Sequence, residues 1–278
     1  MWKYRLCLGL SESFSVPYEE QLKLIKAAGF DAYFFNWDRN LMESVTEAGK
    51  KQGLILQSIH APFGKSADFW GNDEEKGEIA VKELLACLED CAKYGAPIMV
   101  VHAFIGFYDQ TPTKIGLERF RKVVDAAQKY GVKIAFENTE GEEYLYALME
   151  EFKDNNTVGF CWDTGHEMCY NHSKDLLADF GDRLIATHIN DNLGIRDFDG
   201  NITYFDDLHL LPFDGVGDWD NIASRLDRCG YDGMMTFELT RLSKPNRHEN
   251  DVYMDMKIEQ YIAEVFKRAC RVAAKRKK

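Results

Sequence analysis

The sequence predicts an α/β fold, a single-domain (β/α)8 TIM barrel over residues 1–278. Three observations predict it. Eight short apolar runs recur along the chain, separated by polar turns and, in most intervals, an amphipathic stretch. The runs are continuous rather than alternating, as expected of strands covered on both faces. No linker-like shift in composition interrupts the repeat, and the length suits one barrel of eight βα units.

The strands are read at Tyr4–Leu10, Ala32–Phe35, Leu54–His60, Ile98–His102, Val132–Glu137, Val158–Asp163, Leu184–Asn190 and Met234–Glu238. Helical patterns fall at Tyr18–Ala28, Glu74–Tyr94, Lys114–Tyr130, Tyr144–Phe152 and Trp219–Cys229. Gly29, Gly95, Gly131 and Gly230 each stand where a helix must stop and turn into the next strand. An open doubly wound sheet is the competing architecture. It would want a glycine-rich turn after the first strand, where the chain instead reads Gly9-Leu10-Ser11-Glu12. The longest connection, about Asn190 to Asp218, joins strands seven and eight, and long loops in compact domains are usually functional.

Composition narrows the class. With 45% apolar residues in 278 the chain can bury a large core, and 29% charged residues is ordinary for a soluble protein. Lys and Arg total 34 against 46 Asp and Glu, for a net charge of −12. Residues 267–278 hold seven bases and no acid, so the other 266 residues carry 27 bases against 46 acids, or −19. A body that acidic lacks the general footprint of a nucleic-acid binder. The basic tail reads as the end of the last helix, fraying into solvent, with a contact to nucleic acid or an anionic surface as the alternative. Residues 1–17 make a poor signal peptide, because Arg5 and Glu12 break the apolar run. The longest uncharged stretch, Tyr94 to Tyr108, is 15 residues and too short for a membrane span. Seven scattered cysteines include no two-residue-spaced pair, and Cys87 and Cys91 read as packing residues inside a helix. A soluble, cytoplasmic protein is expected.

Six side chains of metal-binding type close six successive strands: His60, His102, Glu137, Asp163, His188 and Glu238. In a barrel those ends converge on one mouth, where active sites form. His166 follows Asp163 by three residues, and Asp207 and His209 lie in the long loop. Singly, each could be a hydrogen-bonded structural residue or a helix cap. Together, buried carboxylates and imidazoles crowded at one mouth call for a cation. Oxygen and imidazole donors without thiolate suit manganese, zinc, cobalt or iron. Cys161 is left out of the set.

At these residues the chain resembles the xylose isomerase-like TIM-barrel superfamily, which includes sugar-phosphate isomerases and epimerases and the endonuclease IV family. The resemblance runs through Ser58-Ile59-His60-Ala61-Pro62, Val101-His102, Phe136-Glu137-Asn138-Thr139 and Asp163-Thr164-Gly165-His166. It continues through His188-Ile189-Asn190-Asp191-Asn192, the stretch from Asp207 to Gly215, and Phe237-Glu238. The isomerase and epimerase members imply one divalent ion (Mn, Zn, Co or Mg) held by Glu137, Asp163, His188 and Glu238. The two glutamates then also act as catalytic acid and base, and His166 contacts substrate. The endonuclease branch implies up to three zinc ions on His60, His102, Glu137, Asp163, His166, His188, Asp207, His209 and Glu238. All nine residues are present.

The two branches do different chemistry. An isomerase or epimerase removes a proton beside a carbonyl, through an enediolate that a metal stabilises, and returns it from a second carboxylate. An endonuclease hydrolyses a phosphodiester with clustered zinc. Residues 190–220 hold eight aspartates and one base, Arg196, a surface that would oppose DNA phosphates. The Ser-Lys pair typical of the endonuclease branch after the aspartate is missing. A sugar enzyme acting on a ketose or keto-polyol is therefore expected, with no nucleic-acid partner and no membrane. An endonuclease IV-like phosphodiesterase on abasic DNA and a keto-polyol dehydratase are the alternatives. Without an obvious arginine cluster a free sugar is favoured over a phosphate. His60, His102, His166, Trp37, Lys65 and Arg241 are candidate substrate contacts, and Phe35, Phe63, Phe104 and Phe107 either stack on a sugar or pack under the loops. Related barrels often pair, so a homo-oligomer is a family-level expectation.

Overall fold

Eight parallel strands pair in the order β7-β6-β5-β4-β3-β2-β1-β8. They are β1 Leu6–Gly9, β2 Ala32–Asn36, β3 Ile55–His60, β4 Ile98–His102, β5 Lys133–Glu137, β6 Val158–Asp163, β7 Leu184–His188 and β8 Met235–Phe237. The ring closes just past β7, where Ile189 bridges Phe237 and its N–H donates to Thr236 O at 2.7 Å. The computed structural model describes residues 4–107, 111–195 and 202–277. Its helices are α1 Tyr18–Ala28, α2 Met42–Lys51, α3 Glu74–Tyr94, α4 Lys114–Tyr130, α5 Glu142–Glu151, α6 Thr164–Cys169, α7 Leu176–Phe180, α8 Trp219–Arg228, α9 Asp251–Met254 and α10 Ile258–Ala273. The (β/α)8 barrel expected from the sequence is the fold observed. Among the described residues no helix is long and apolar enough to cross a membrane.

The helix ends follow their sequence signals. Gly29, Gly95 and Gly131 cap α1, α3 and α4 with φ of +113°, +80° and +69°, a region that costs other residues strain. At their starts, Asp73, Thr113 and Asp218 accept N–H bonds for α3, α4 and α8.

Side chains inside the barrel are graded. Val100, Ala135, Cys161 and Ala186 cluster there, as do Cys7, Ala32 and Phe34 on the opposite side. The period of two puts Val100 below His102, Ala135 below Glu137, Cys161 below Asp163 and Ala186 below His188. Cys161 therefore shares the inward face with Asp163. Burial pushes its thiol well above the usual range, so it stays a protonated packing residue. Apart from Phe34, which stacks on His188 at 4.8 Å, these small side chains form a floor under the bulkier polar ring at the mouth.

The basic tail is not a frayed end. Arg276 is buried, its Nε 2.9 Å from Asp227 Oδ1 and its Nη2 2.5 Å from Tyr231 O, with its guanidinium over the Tyr4 ring. Lys275 pairs with Asp220 at 2.8 Å, and the Lys277 N–H donates to Asp227 Oδ2 at 2.6 Å. Two of the tail's cations, Lys275 and Arg276, are thus spent on acids of α8. Arg276→Ala is expected to leave the Asp227 carboxylate half-paired in a dry site. The cost is about 3 kcal/mol, or a melting point lower by roughly 6 °C, read by calorimetry. An unchanged melting point would return the tail to the solvent-frayed reading.

Candidate metal centre and active site

Glu137 ends β5 wholly buried, and imidazoles surround it. Its Oε2 lies 3.2 Å from both His60 Nε2 and His102 Nε2, and its Oε1 accepts from His188 Nδ1 at 2.6 Å. The same His188 nitrogen lies 3.1 Å from Glu238 Oε2, so one ring links the ends of β5, β7 and β8. Asp163, at the end of β6, completes a group of four with Glu137, His188 and Glu238, one oxygen or nitrogen of each lying within 4.8 Å of the others. Two more groups meet the same test, His60 with Glu137 and His188, and His166 with Asp207 and His209. All nine sequence-predicted ligand positions converge on the mouth. His102 joins through its bond to Glu137.

Local sequence explains how these side chains are aimed. Asp163 is both the last residue of β6 and the N-cap of α6, accepting the His166 N–H at 2.7 Å through Oδ1. Its other oxygen accepts from Asn190 Nδ2 at 2.9 Å, and Asn190 reaches it across Gly165. A Cβ at Gly165 would stand 1.8 Å from Asn190 Oδ1, so only glycine fits there. The long loop is pinned by Asp191. Its buried carboxylate accepts from the N–H groups of Asn192 (2.9 Å), Phe213 (2.8 Å) and Gly217 (2.9 Å) and from the Trp219 indole (3.0 Å). That anchorage fixes the segment bearing Asp207 and His209, the latter at φ +46°.

The hydrogen bonds fit a cation. His60, His166 and His209 each direct Nδ1 at a backbone carbonyl, of Ala61 (2.8 Å), Asn138 (2.9 Å) and Glu238 (3.3 Å). Their Nε2 atoms are left facing carboxylates, Glu137 for His60 and Asp207 for the other two. A neutral imidazole then turns a lone pair toward an oxygen lone pair, an arrangement that only a proton or a metal ion between them makes favourable. Among the described residues His188 Nε2, His102 Nδ1 and Asp207 Oδ1 are buried without a hydrogen-bond partner. The oxygen and nitrogen donors match borderline divalent ions.

Electrostatics without a metal show what a cation would replace. Burial opposes charge throughout, yet His188, His102 and His60 hold Glu137 well below the usual carboxylate range. Glu238, also opposed by burial, is lowered to about 2, chiefly by His188. Burial raises Asp163 to about 6. His209 rises to about 9 because Asp207 outweighs its desolvation. A histidine raised above its unfolded value of about 6.5 lends stability that is complete below that value and is lost as pH climbs through 9. Chelator-treated protein should therefore lose stability between pH 6.5 and 9, on the order of 3 kcal/mol for His209 alone, read by calorimetry. A stability that stays level across that range would contradict this.

Above the ring lies a cavity of about 540 Å³, lined by His60, His102, His166, Asp207, His209 and Glu238 below and by aromatic walls above. Glu238 and His209 also line a smaller adjoining cavity of about 240 Å³ with Ser11, Glu12, Tyr18 and Thr240. Phe63 and Phe107 reach the larger cavity, whereas Phe35 and Phe104 are packed beneath the loops. Three of the sequence-predicted substrate contacts are not brought to it. The Trp37 indole donates to Asp90 on α3 at 2.9 Å, Lys65 pairs with Glu83 at 2.6 Å, and Arg241 donates to Met254 O at 2.8 Å. Asn36, Ile105, Glu140, Tyr170, Tyr204 and Lys244 line the cavity unforeseen. Of these only Tyr170 had a usable signal, lying one helical turn past His166.

The acid-rich loop spends part of its charge on internal contacts. Asp191 is buried and fully bonded, Asp206 accepts from the Thr203 N–H, Asp214 pairs with Arg268, Asp218 caps α8 and Asp220 pairs with Lys275. Asp197, Asp199 and Arg196 lie outside the described residues. Asp214, Asp218 and Asp220 nonetheless remain exposed, so the loop keeps part of its acidic surface.

Residues 22–256 match the family described as xylose isomerase-like TIM barrel. The chain belongs to this family. An uncharacterized protein of Sinorhizobium fredii is 28% identical over 293 residues, covering 89% of this chain and 90% of that one. A probable endonuclease 4 of Nitrosopumilus maritimus is 27% identical over 143 residues, 44% of this chain and half of that protein. Among solved structures, the 3-keto-D-glucoside 4-epimerase YcjR of E. coli superposes with a TM-score of 0.68 at 20% identity, over 94% of this chain and 99% of that one. The IOLI protein with a bound zinc atom superposes with a TM-score of 0.71 at 20% identity, over 98% of both. At such identities these structures establish the shared fold.

Proposed function

We propose that this family member is a divalent-metal-dependent isomerase or epimerase of a ketose or keto-polyol. The observation that carries the reading is the Glu137–His188–Glu238 linkage with Asp163, opening into an aromatic-walled cavity. Glu137, Asp163, His188 and Glu238 would hold the ion, and when bound it would polarise the substrate carbonyl and so acidify the neighbouring carbon. Glu238 is held ionised and faces the cavity, its side chain 23% exposed, so it can take the proton from that carbon. Glu137 lines neither cavity. A proton held between its carboxylate and His60 or His102, which line the larger one and sit 3.2 Å away, would be the one returned to the substrate, and exchange with solvent would then restore it and clear the proton taken by Glu238. His166, also on the cavity floor, would bind a hydroxyl. The bound-zinc and epimerase relatives by fold support the reading.

One observation favours a second reading. The three ligand groups could take three zinc ions, as an endonuclease IV-like phosphodiesterase would need, and one relative carries that description. Against it, Lys244 is the one Lys or Arg among the described residues lining the larger cavity, too little for a nucleic-acid track. The deciding experiment incubates metal-loaded protein with a panel of ketoses in heavy water. Deuterium appearing at the carbon beside the carbonyl supports the proposal. No exchange with any ketose, together with cleavage of abasic DNA, would transfer the assignment to the phosphodiesterase.

A further inference from the structure

The larger cavity has two unlike halves. Its floor is polar, while Phe63, Ile105, Phe107, Tyr170 and Tyr204 make walls far more apolar than a sugar's hydroxyls require. The walls rise from the histidines. Phe63 stacks on His102 at 4.6 Å, Tyr170 lies 5.1 Å from His166, and Phe107 lies 5.7 Å from Tyr170. The Gly106 N–H donates to Glu140 at 2.9 Å, tying the loop that presents Ile105 and Phe107 to the end of β5.

Part of these walls is exposed. Phe63, Phe107 and Tyr204 are 40%, 44% and 56% exposed. Among the described residues, nine of the thirteen exposed large apolar side chains lie on connections following the carboxyl ends of strands, so the exposure is concentrated on the active face. The volume, about 540 Å³, is in the range that takes a drug-sized ligand rather than one sugar ring. Lys244 makes no ion pair among the described residues and stands 5.7 Å from the Tyr204 ring centroid. One lysine is thin provision for a phosphate, and the nearby Gly106 N–H is already spent on Glu140.

Resting on the sugar-enzyme reading, we infer that the substrate is a neutral glycoside with an aromatic aglycone. Its sugar ring lies on the histidine and carboxylate floor, and its aglycone lies between Phe107, Tyr170 and Tyr204. The anomeric carbon of such a substrate is tied up in the glycosidic bond, so the carbonyl beside which the proton moves stands elsewhere on the ring.

The test titrates the metal-loaded full chain, by calorimetry, with phenyl and methyl glucopyranosides of both anomers and with glucose 6-phosphate. The phenyl compound of one anomer should bind at least tenfold tighter than its methyl counterpart, and glucose 6-phosphate should gain nothing. In Phe107→Ala and Tyr204→Ala, both at exposed positions and so without consequence for folding, the phenyl-to-methyl ratio should fall towards one. If ketoses exchange deuterium but phenyl and methyl glycosides bind alike, or the phosphate binds tightest, the inference fails and the proposed function stands. If no ketose exchanges and no glycoside binds to metal-loaded protein, the proposed function fails and the inference with it.

Discussion

Glu137→Gln should abolish function and metal retention together. The carboxylate is fully buried and takes contacts from His60, His102 and His188, so the amide would face these nitrogens with a donor of its own and no charge. Loss of a mere supporting partner of a metal ligand costs roughly 10–100-fold in affinity, so loss of this shared ligand should exceed 100-fold. Deuterium exchange on a responsive ketose should fall by about a thousandfold or more, the scale of a lost acid–base group. The metal-free variant should also melt lower, because His188 keeps its buried position with only the partly exposed Glu238 as its anion. Equilibrium dialysis against zinc or manganese and calorimetry read both effects. A variant that binds metal and exchanges like the parent would remove Glu137 from the centre of the site.

Glu167→Ala should be the most damaging change outside the ring itself. Glu167 sits on α6 beside His166 and accepts from both terminal nitrogens of Arg225, at 2.6 and 2.8 Å, and from the Trp162 indole at 2.8 Å. Both Glu167 and Arg225 are buried, and the guanidinium lies over the Trp162 ring. Truncation leaves Arg225 with Asp175 alone and the indole N–H unpaired. Breaking such a pair costs about 3–5 kcal/mol, a melting-point drop of roughly 10 °C. Replacing both partners with methionine should recover part of the loss, since no unpaired charge then remains. If the double variant is no better than the single, the network contributes by packing and not by charge.

The barrel was legible because its strands are covered on both faces and its helices end on glycine. The strand beginning at Val158 and ending at Asp163 needed no adjustment, whereas the first proved shorter than Tyr4–Leu10, pairing only from Leu6 to Gly9. Helix α2 was missed for a physical reason: its buried face is Met42, Val45, Thr46 and Gly49, so half of it carries no apolar signal. The nine metal-type residues were legible one by one because strand ends converge in a barrel. Their division into three groups was not, since that depends on loop geometry such as the Asp191 anchorage 16 residues before Asp207. Charge counting misled in the basic tail, because composition does not tell a solvated charge from one already paired. Trp37, Lys65 and Arg241 show the same limit: position after a strand end does not say which neighbour a long side chain will choose.

Elemental analysis of protein purified without added metal or chelator decides whether the ring at the barrel mouth is a metal centre. About one divalent ion per chain, lost in Glu137→Gln, is the predicted result. A protein that carries none and takes none up on titration with zinc, manganese, cobalt or magnesium would contradict it.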